Sequence, residues 1–194
     1  GLYDPRGYCQ RLLARAADVL AESGSGERPE IDGQSGRPIY LVVEKILARH
    51  ERLREDLPVA GTTGYEFMGL VNGLFVDPAA ERSMTATYHR FVEREPAFDQ
   101  VVLAAKQQTL RYSLDSELHV LGYEFYRLAQ QSWSTRDFTL TGLREALADI
   151  ITRFPVYRTY ITEDGATAED RRDLDWAVSR ARRETALVDR TVFD

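Results

Sequence analysis

The chain has 194 residues, 43% of them hydrophobic, enough for one domain or one and a half around a buried core. Its 31 acidic residues outnumber 25 lysines and arginines, and the resulting net charge of −6 leaves no dominant basic face for nucleic acid or an anionic membrane. A single cysteine, Cys9, rules out an internal disulfide and suits a reducing cytoplasm, while no apolar run approaches the roughly 18 residues that span a bilayer and no charged-then-apolar leader pattern is present.

Asp4-Pro5 reads as an N-cap followed by proline at the first helical position, and Tyr8, Leu12, Ala16, Val19 and Leu20 then recur at helical spacing. Cys9 is read as a small buried or half-buried side chain of that helix. Residues 23–36, rich in Gly, Ser, Pro and acids, form a flexible connection. Gly36 and Pro38 mark the start of a strand over residues 39–43, Ile-Tyr-Leu-Val-Val, whose continuous apolar character predicts burial on both faces. Glu44 stands at its C-terminal end. That end is the catalytic face of a TIM-type barrel, so a carboxylate there suits chemistry; the alternative is a surface Glu opening a helix through Ala48 and Arg52. From Lys45 a helical period continues weakly to Pro58, after which Gly61 and Gly64 predict an irregular loop.

Beyond residue 67 no second strand of that quality is found. Asp77-Pro78 opens a helix through Met84, Tyr88 and Phe91 that stops before Pro96. From Phe98 to about Ser132, Leu110, Leu114, Leu118, Leu121, Phe125 and Leu128 are spaced by fours and threes, which predicts one long helix with a single apolar stripe. A shorter helix follows with Leu143, Leu147 and Ile150 inward, ending at Phe154-Pro155. Thr167 with Asp170 caps a last helix through Leu174, Val178 and Ala181, its arginines on a solvated face. The fold class is therefore mainly α: a barrel fragment of helix, buried strand and loop over residues 1–66, then a helical subdomain over residues 67–194.

Several polar groups are candidates for ligand contact. Thr62, Thr63 and Tyr65 offer hydroxyls to a polyol beside Glu44, against the alternative of a glycine turn with satisfied Thr side chains. Tyr157, Arg158 and Tyr160 bring aromatic faces and a fixed fork of donors into one short segment, which suits glucose rings and their hydroxyls or else the packing of the subdomain. Arg136-Asp137 reads as an ion pair at the start of a helix. His50, His89 and His119 lack metal-ligand spacing, so no metal or cofactor is expected; phosphate loop and serine elbow are also missing.

Five blocks then carry a resemblance: Val42-Val-Glu-Lys-Ile-Leu-Ala48, Leu57-Pro-Val-Ala-Gly-Thr-Thr-Gly-Tyr-Glu-Phe67, Val71-Asn-Gly-Leu-Phe-Val-Asp-Pro78, Arg136-Asp-Phe-Thr139 and Phe154-Pro-Val-Tyr-Arg-Thr-Tyr160. In that order, with the opening Gly1-Leu-Tyr-Asp-Pro5, they resemble maltooligosyltrehalose synthase of the alpha-amylase superfamily. The sequence departs from the family at Leu57, Glu66 and Gly69, where Trp, Asp and Asn are usual. The resemblance implies a (β/α)8 barrel with an Asp nucleophile, an acid/base Glu and a second Asp. Only the Glu transfers, to Glu44; the nucleophile's Arg-x-Asp-His-x-Asp-Gly-Leu run would end at Gly1-Leu2 and the second Asp would lie past residue 194.

The implied reaction is an intramolecular transglycosylation that turns the reducing-end α-1,4 link of a maltooligosaccharide into an α,α-1,1 link, with the rest of the same polypeptide as partner and this segment inactive alone. Glu44 would act as general acid and then base. The loop over residues 61–65 and the segment 157–160 would help enclose the freed glucose away from water. Two rivals stand beside this reading: a hydrolytic relative such as a trehalose-releasing hydrolase, and a non-catalytic helical interaction module.

Overall fold

The computed structural model describes residues 2–24, 37–95, 97–187 and 189–194. The chain is mostly helical and divides into two compact units, Gly1–Ala79 and Ala80–Asp194. Most of the expected connection over residues 23–36, with the Gly36 strand start, lies outside the described residues, as does Pro96. Among the described residues no helix is long and apolar enough to cross a membrane.

In the first unit, α1 (Pro5–Glu22) begins as its sequence dictates: the Asp4 carboxylate accepts the Gly7 N–H at 2.8 Å and Pro5 occupies the first turn, where no N–H is needed. Cys9, 2% exposed, closes a buried cluster with Leu57 and Val59, against which Leu41, Val43 and Leu53 pack. The strand expected over residues 39–43 is shorter and less buried than its composition predicts. β1 is Val42–Val43, both half-buried, and Tyr40 is exposed. Among the described residues its partner is β2 (Gly61–Thr62), paired in parallel with Val42 opposite Gly61 and Val43 opposite Thr62. The Ala60 N–H to the Leu41 carbonyl (2.7 Å) and the Thr63 N–H to the Val43 carbonyl (3.1 Å) extend the ladder at both ends. A ladder satisfies a strand's edge and not its faces, which need layers packed above and below to bury them. The irregular loop expected from Gly61 is thus in part a second strand.

The weak helix expected from Lys45 to Pro58 does not form. Glu51 closes a turn instead: its carboxylate accepts the Ala48 N–H at 3.0 Å and pairs with Lys45 at 2.7 Å, with both side chains nearly buried. A side chain that satisfies the backbone locally competes with the helical ladder, and here it wins. After β2 comes α2 (Tyr65–Gly73), where the sequence predicts no helix. Its apolar residues Phe67, Leu70, Leu74 and Phe75, the last two just past its end, are largely exposed.

At the end of the first unit, Pro78–Ala80 forms a 3-10 turn in which Asp77 accepts the Ala79 N–H at 2.9 Å, and the second unit begins with α3 (Glu81–Val92). The long helix expected over residues 98–132 is two, α4 (Phe98–Ser113) and α5 (Asp115–Ala129), broken at Leu114, whose φ of −127° and ψ of 21° leave the helical region. Asp115 and Glu117 then stand in a first turn, where the helix dipole favours carboxylates, rather than inside a helix. The leucine stripe consequently divides: Leu110 and Leu118 are buried, while Leu114, Leu121 and Leu128 are exposed.

The hub of this unit is α6 (Leu140–Arg153), started by the Thr139 hydroxyl accepting the Gly142 N–H at 3.1 Å and in contact with α4, α5 and α7 (Ala168–Glu184). Leu143 is 1% exposed and Ile150 packs against the cluster of Ala146, Ala181 and Phe193, while Leu147, also expected inward, is half-buried. Gly122 permits the close approach of α5, since a Cβ there would stand 3.3 Å from the Cβ and Cγ of Arg144. The cap expected at α7 is present in reciprocal form, with Asp170 N–H to the Thr167 hydroxyl at 3.1 Å and Thr167 N–H to the Asp170 carboxylate at 3.0 Å. Ala146, Ala177 and Ala181 let α6 and α7 pack closely, and Phe193 of the C-terminal turn (Thr191–Phe193) closes the cluster.

Candidate active site

Parallel pairing places the C-terminal ends of β1 and β2 at the same edge, and each strand releases a polar segment there. Glu44 is the first residue past β1 and is exposed. Beyond β2 the chain turns sharply through Thr63 and Gly64. Gly64 takes φ 99°, a left-handed conformation costly for a residue with a Cβ, and α2 starts immediately after it. That turn carries Tyr65 back over the end of β1, where its hydroxyl donates to Glu44 Oε1 at 3.1 Å.

A second hydrogen-bonded tie holds the turn. Thr62 Oγ1 donates to Glu66 Oε2 at 2.6 Å and accepts the Gly64 N–H at 3.2 Å. A threonine hydroxyl has one hydrogen, so Thr62's is committed within the turn. Thr63 contributes its backbone N–H to the ladder and leaves its side chain exposed. The electrostatics follow these contacts. The hydrogen bond to Glu44, and then the negative charge of that carboxylate, raise the Tyr65 pKa above the ordinary tyrosine value, which keeps the phenol a donor. The Thr62 hydroxyl, and next a backbone hydrogen bond, hold Glu66 below the usual glutamate range. Glu66 holds the turn without being among the residues the sequence singles out, although a Thr four residues before a Glu is a visible signal.

In the second unit, the segment after α6 presents Tyr157 with 87% of its surface exposed. The Arg158 guanidinium lies 4.8 Å from the Tyr160 ring centroid, and its Nε donates to the Thr159 carbonyl at 3.1 Å. The Tyr160 N–H reaches Asp170 at 3.4 Å, which links the segment to the cap of α7. Arg136, expected to pair with Asp137, stacks instead on Trp133 at 3.5 Å, the more favourable place for a planar cation beside an indole. His50, His89 and His119 remain apart in sequence, and among the described residues no group of His, Cys, Asp and Glu could hold a metal ion.

A cavity of about 130 Å³ in the second unit, lined among others by Lys106, Phe154, Trp176 and Arg180, has no sequence signal, because its residues come from α4, the end of α6 and α7. Lys106 Nζ donates to the Phe154 carbonyl at 2.9 Å, capping the end of α6. Burial, and then the charge of Arg180, lower its pKa.

No family model matches the chain. Two curated proteins from strains of Mycobacterium tuberculosis, both named as maltooligosyl trehalose synthase, are 38% identical over 86 residues, which is 44% of this chain and 9% of theirs. Among solved structures, maltooligosyltrehalose synthase from Arthrobacter ramosus matches 99% of this chain at 27% identity and a TM-score of 0.67. A mutant of that enzyme matches 94% at 28% identity and 0.63. A glycosyltrehalose synthase, at 24% identity and 0.59, shares the fold. The chain thus spans about a fifth of the solved enzymes it matches, with 20% coverage of the first and 19% of its mutant. Sequence and structure neighbours name the one family that the five sequence blocks resemble.

Proposed function

We propose that this chain is the acid/base-bearing segment of a maltooligosyltrehalose synthase, an isomerase that moves the reducing-end α-1,4 link of a maltooligosaccharide to an α,α-1,1 link. The observation that carries the reading is Glu44 at the C-terminal end of a parallel strand pair, held by Tyr65, in a chain that matches a synthase over nearly its full length. In this reading β1 and β2 are neighbouring strands of a (β/α)8 barrel, and residues 67–194 are the helical subdomain that follows, its first residues, 67–79, lying in the first compact unit. The bare apolar face of Phe67, Leu70, Leu74 and Phe75 fits a segment covered by the rest of a larger enzyme.

Glu44 first acts as general acid, giving its proton to the glycosidic oxygen as a carboxylate outside this chain attacks the anomeric carbon; retaining geometry puts the two carboxyls about 5 Å apart. Glu44 then takes the proton from the anomeric hydroxyl of the released glucose, so that this oxygen, in place of water, attacks the intermediate. Thr62, Thr63 and Tyr65 border the acid on its own unit. Tyr157, Arg158 and Tyr160 serve as substrate contacts on the other, the exposed Tyr157 ring offering a face to a glucose ring and Arg158 its donors to hydroxyls.

The test is Glu44→Gln in the full-length protein that carries this segment, measuring loss of reducing ends from maltopentaose. A fall of about 10²-fold or more is expected, because the amide keeps the shape but cannot exchange a proton. Less than about tenfold loss in a folded protein would move the acid elsewhere.

A further inference from the structure

The phenol of Tyr65 has one hydrogen, and it is given to Glu44 Oε1 at 3.1 Å. The backbone that delivers it is itself fastened: β2 is paired to β1 in register, Gly64 takes the left-handed turn, and Thr62 is tied to both Glu66 and Gly64. A hydroxyl kept merely for a sugar would not require the ring to be brought back over the end of the neighbouring strand.

We infer that Tyr65 is a positioning residue for Glu44, occupying Oε1 so that the catalytic proton is carried on Oε2 and the carboxyl plane is fixed towards the scissile oxygen. This rests on the reading of Glu44 as the acid/base. When the Oε2–H bond breaks, its electron pair stays on the carboxylate and the proton bonds the glycosidic oxygen, which also receives the electron pair of its broken bond to the anomeric carbon. The hydrogen bond from Tyr65 persists through this change and strengthens as charge appears on Glu44, so it favours the transition state over the bound substrate. In the second step the same contact keeps Oε2 aimed at the incoming anomeric hydroxyl. The raised pKa of Tyr65 agrees with a phenol that stays protonated throughout.

Leaving-group dependence separates positioning of an acid from contact with substrate. In the full-length protein, Tyr65→Phe is compared with the unmodified enzyme on maltopentaose and on α-maltosyl fluoride with added azide. Fluoride departs with little need of an acid, and azide attacks the intermediate without a base. The expected result is a kcat on maltopentaose lower by about tenfold or more with KM within about twofold, and fluoride release within about threefold of the unmodified enzyme. Equal losses on both substrates, a raised KM with kcat retained, or no loss on maltopentaose would overturn the inference. Glu44→Gln, run alongside, reads the underlying assignment. If it still converts maltopentaose, both the acid assignment and the role of Tyr65 fall. If it loses maltopentaose but keeps azide-dependent fluoride release while Tyr65→Phe breaks that pattern, only the inference about Tyr65 falls.

Discussion

Removing the Asp149 carboxylate should cost the helical unit more than removing the arginine it serves. The Arg153 side chain is 5% exposed at the end of α6, and its Nη1 donates to Asp149 Oδ1 at 2.6 Å while its Nε donates to Glu184 Oε2 at 3.1 Å. Asp149 Oδ2 also accepts the Thr185 hydroxyl at 2.5 Å, and Glu184 Oε1 accepts from Arg180 at 2.9 Å, so the network joins the C-terminal ends of α6 and α7. Asp149→Ala deletes two charge-assisted hydrogen bonds and leaves a buried guanidinium with one carboxylate. Breaking a buried pair from one side costs about 3–5 kcal/mol, and the surviving bond to Glu184 argues for the lower end, about 3 kcal/mol. Arg153→Met instead removes the buried charge and fills the space. Asp149 is 19% exposed and Glu184 40%, so both carboxylates keep water or another partner, and the expected loss is about 1 kcal/mol. Urea denaturation of the purified chain, followed by circular dichroism, should show a midpoint about 1–2 M lower for Asp149→Ala and a smaller shift for Arg153→Met. An Asp149→Ala midpoint close to that of the parent chain, or a larger loss for Arg153→Met, would refute the argument that a buried cation stripped of one carboxylate dominates.

Gly64→Ala should destabilise the first unit by about 1–2 kcal/mol, because its φ of 99° is left-handed although the space around it is open; an unchanged urea midpoint would show that the turn relaxes freely. Titration of phenolate absorbance should find one tyrosine, removed by Tyr65→Phe, that ionises above the ordinary value of about 10, and Glu44→Gln should bring it back down. Acid stability follows from Asp56, held low by its hydrogen bond from Arg54, and from Glu184, where burial pushes upward but hydrogen bonds from Arg180 and Arg153 outweigh it. Folded pKa values below the unfolded ones mean stability that is complete above the unfolded carboxylate range and lost as pH falls through the folded values. The melting temperature should therefore hold down to about pH 5 and drop below about pH 4. A loss beginning near neutral pH would contradict that sign.

Much of the helical part was legible in the chain because its signals are local. Asp4-Pro5, Thr139 and the Thr167/Asp170 pair each act within one helical turn, and Leu143 and Ile150 report their inward face through spacing alone. Leu114 was less legible, since its spacing continues the stripe while the acids at Asp115 and Glu117 favour a new first turn. Residues 45–58 misled for a similar reason: a weak helical period gave way to Glu51, whose bonds to Ala48 and Lys45 are invisible to periodicity.

By itself the sequence determined the identity of the chemical groups, Glu44 at the end of an apolar run, Thr62 and Thr63 between two glycines and Tyr65 after them, because composition and turn chemistry are written residue by residue. Tertiary structure alone decided which of them meet. Glu44 and Tyr65 come together because β1 and β2 pair in parallel and Gly64 turns the chain back. Arg153 likewise reaches Glu184 on the next helix, thirty-one residues along the chain. Pairing register and helix approach depend on contacts between residues distant in the chain, and no local pattern contains the distance between them.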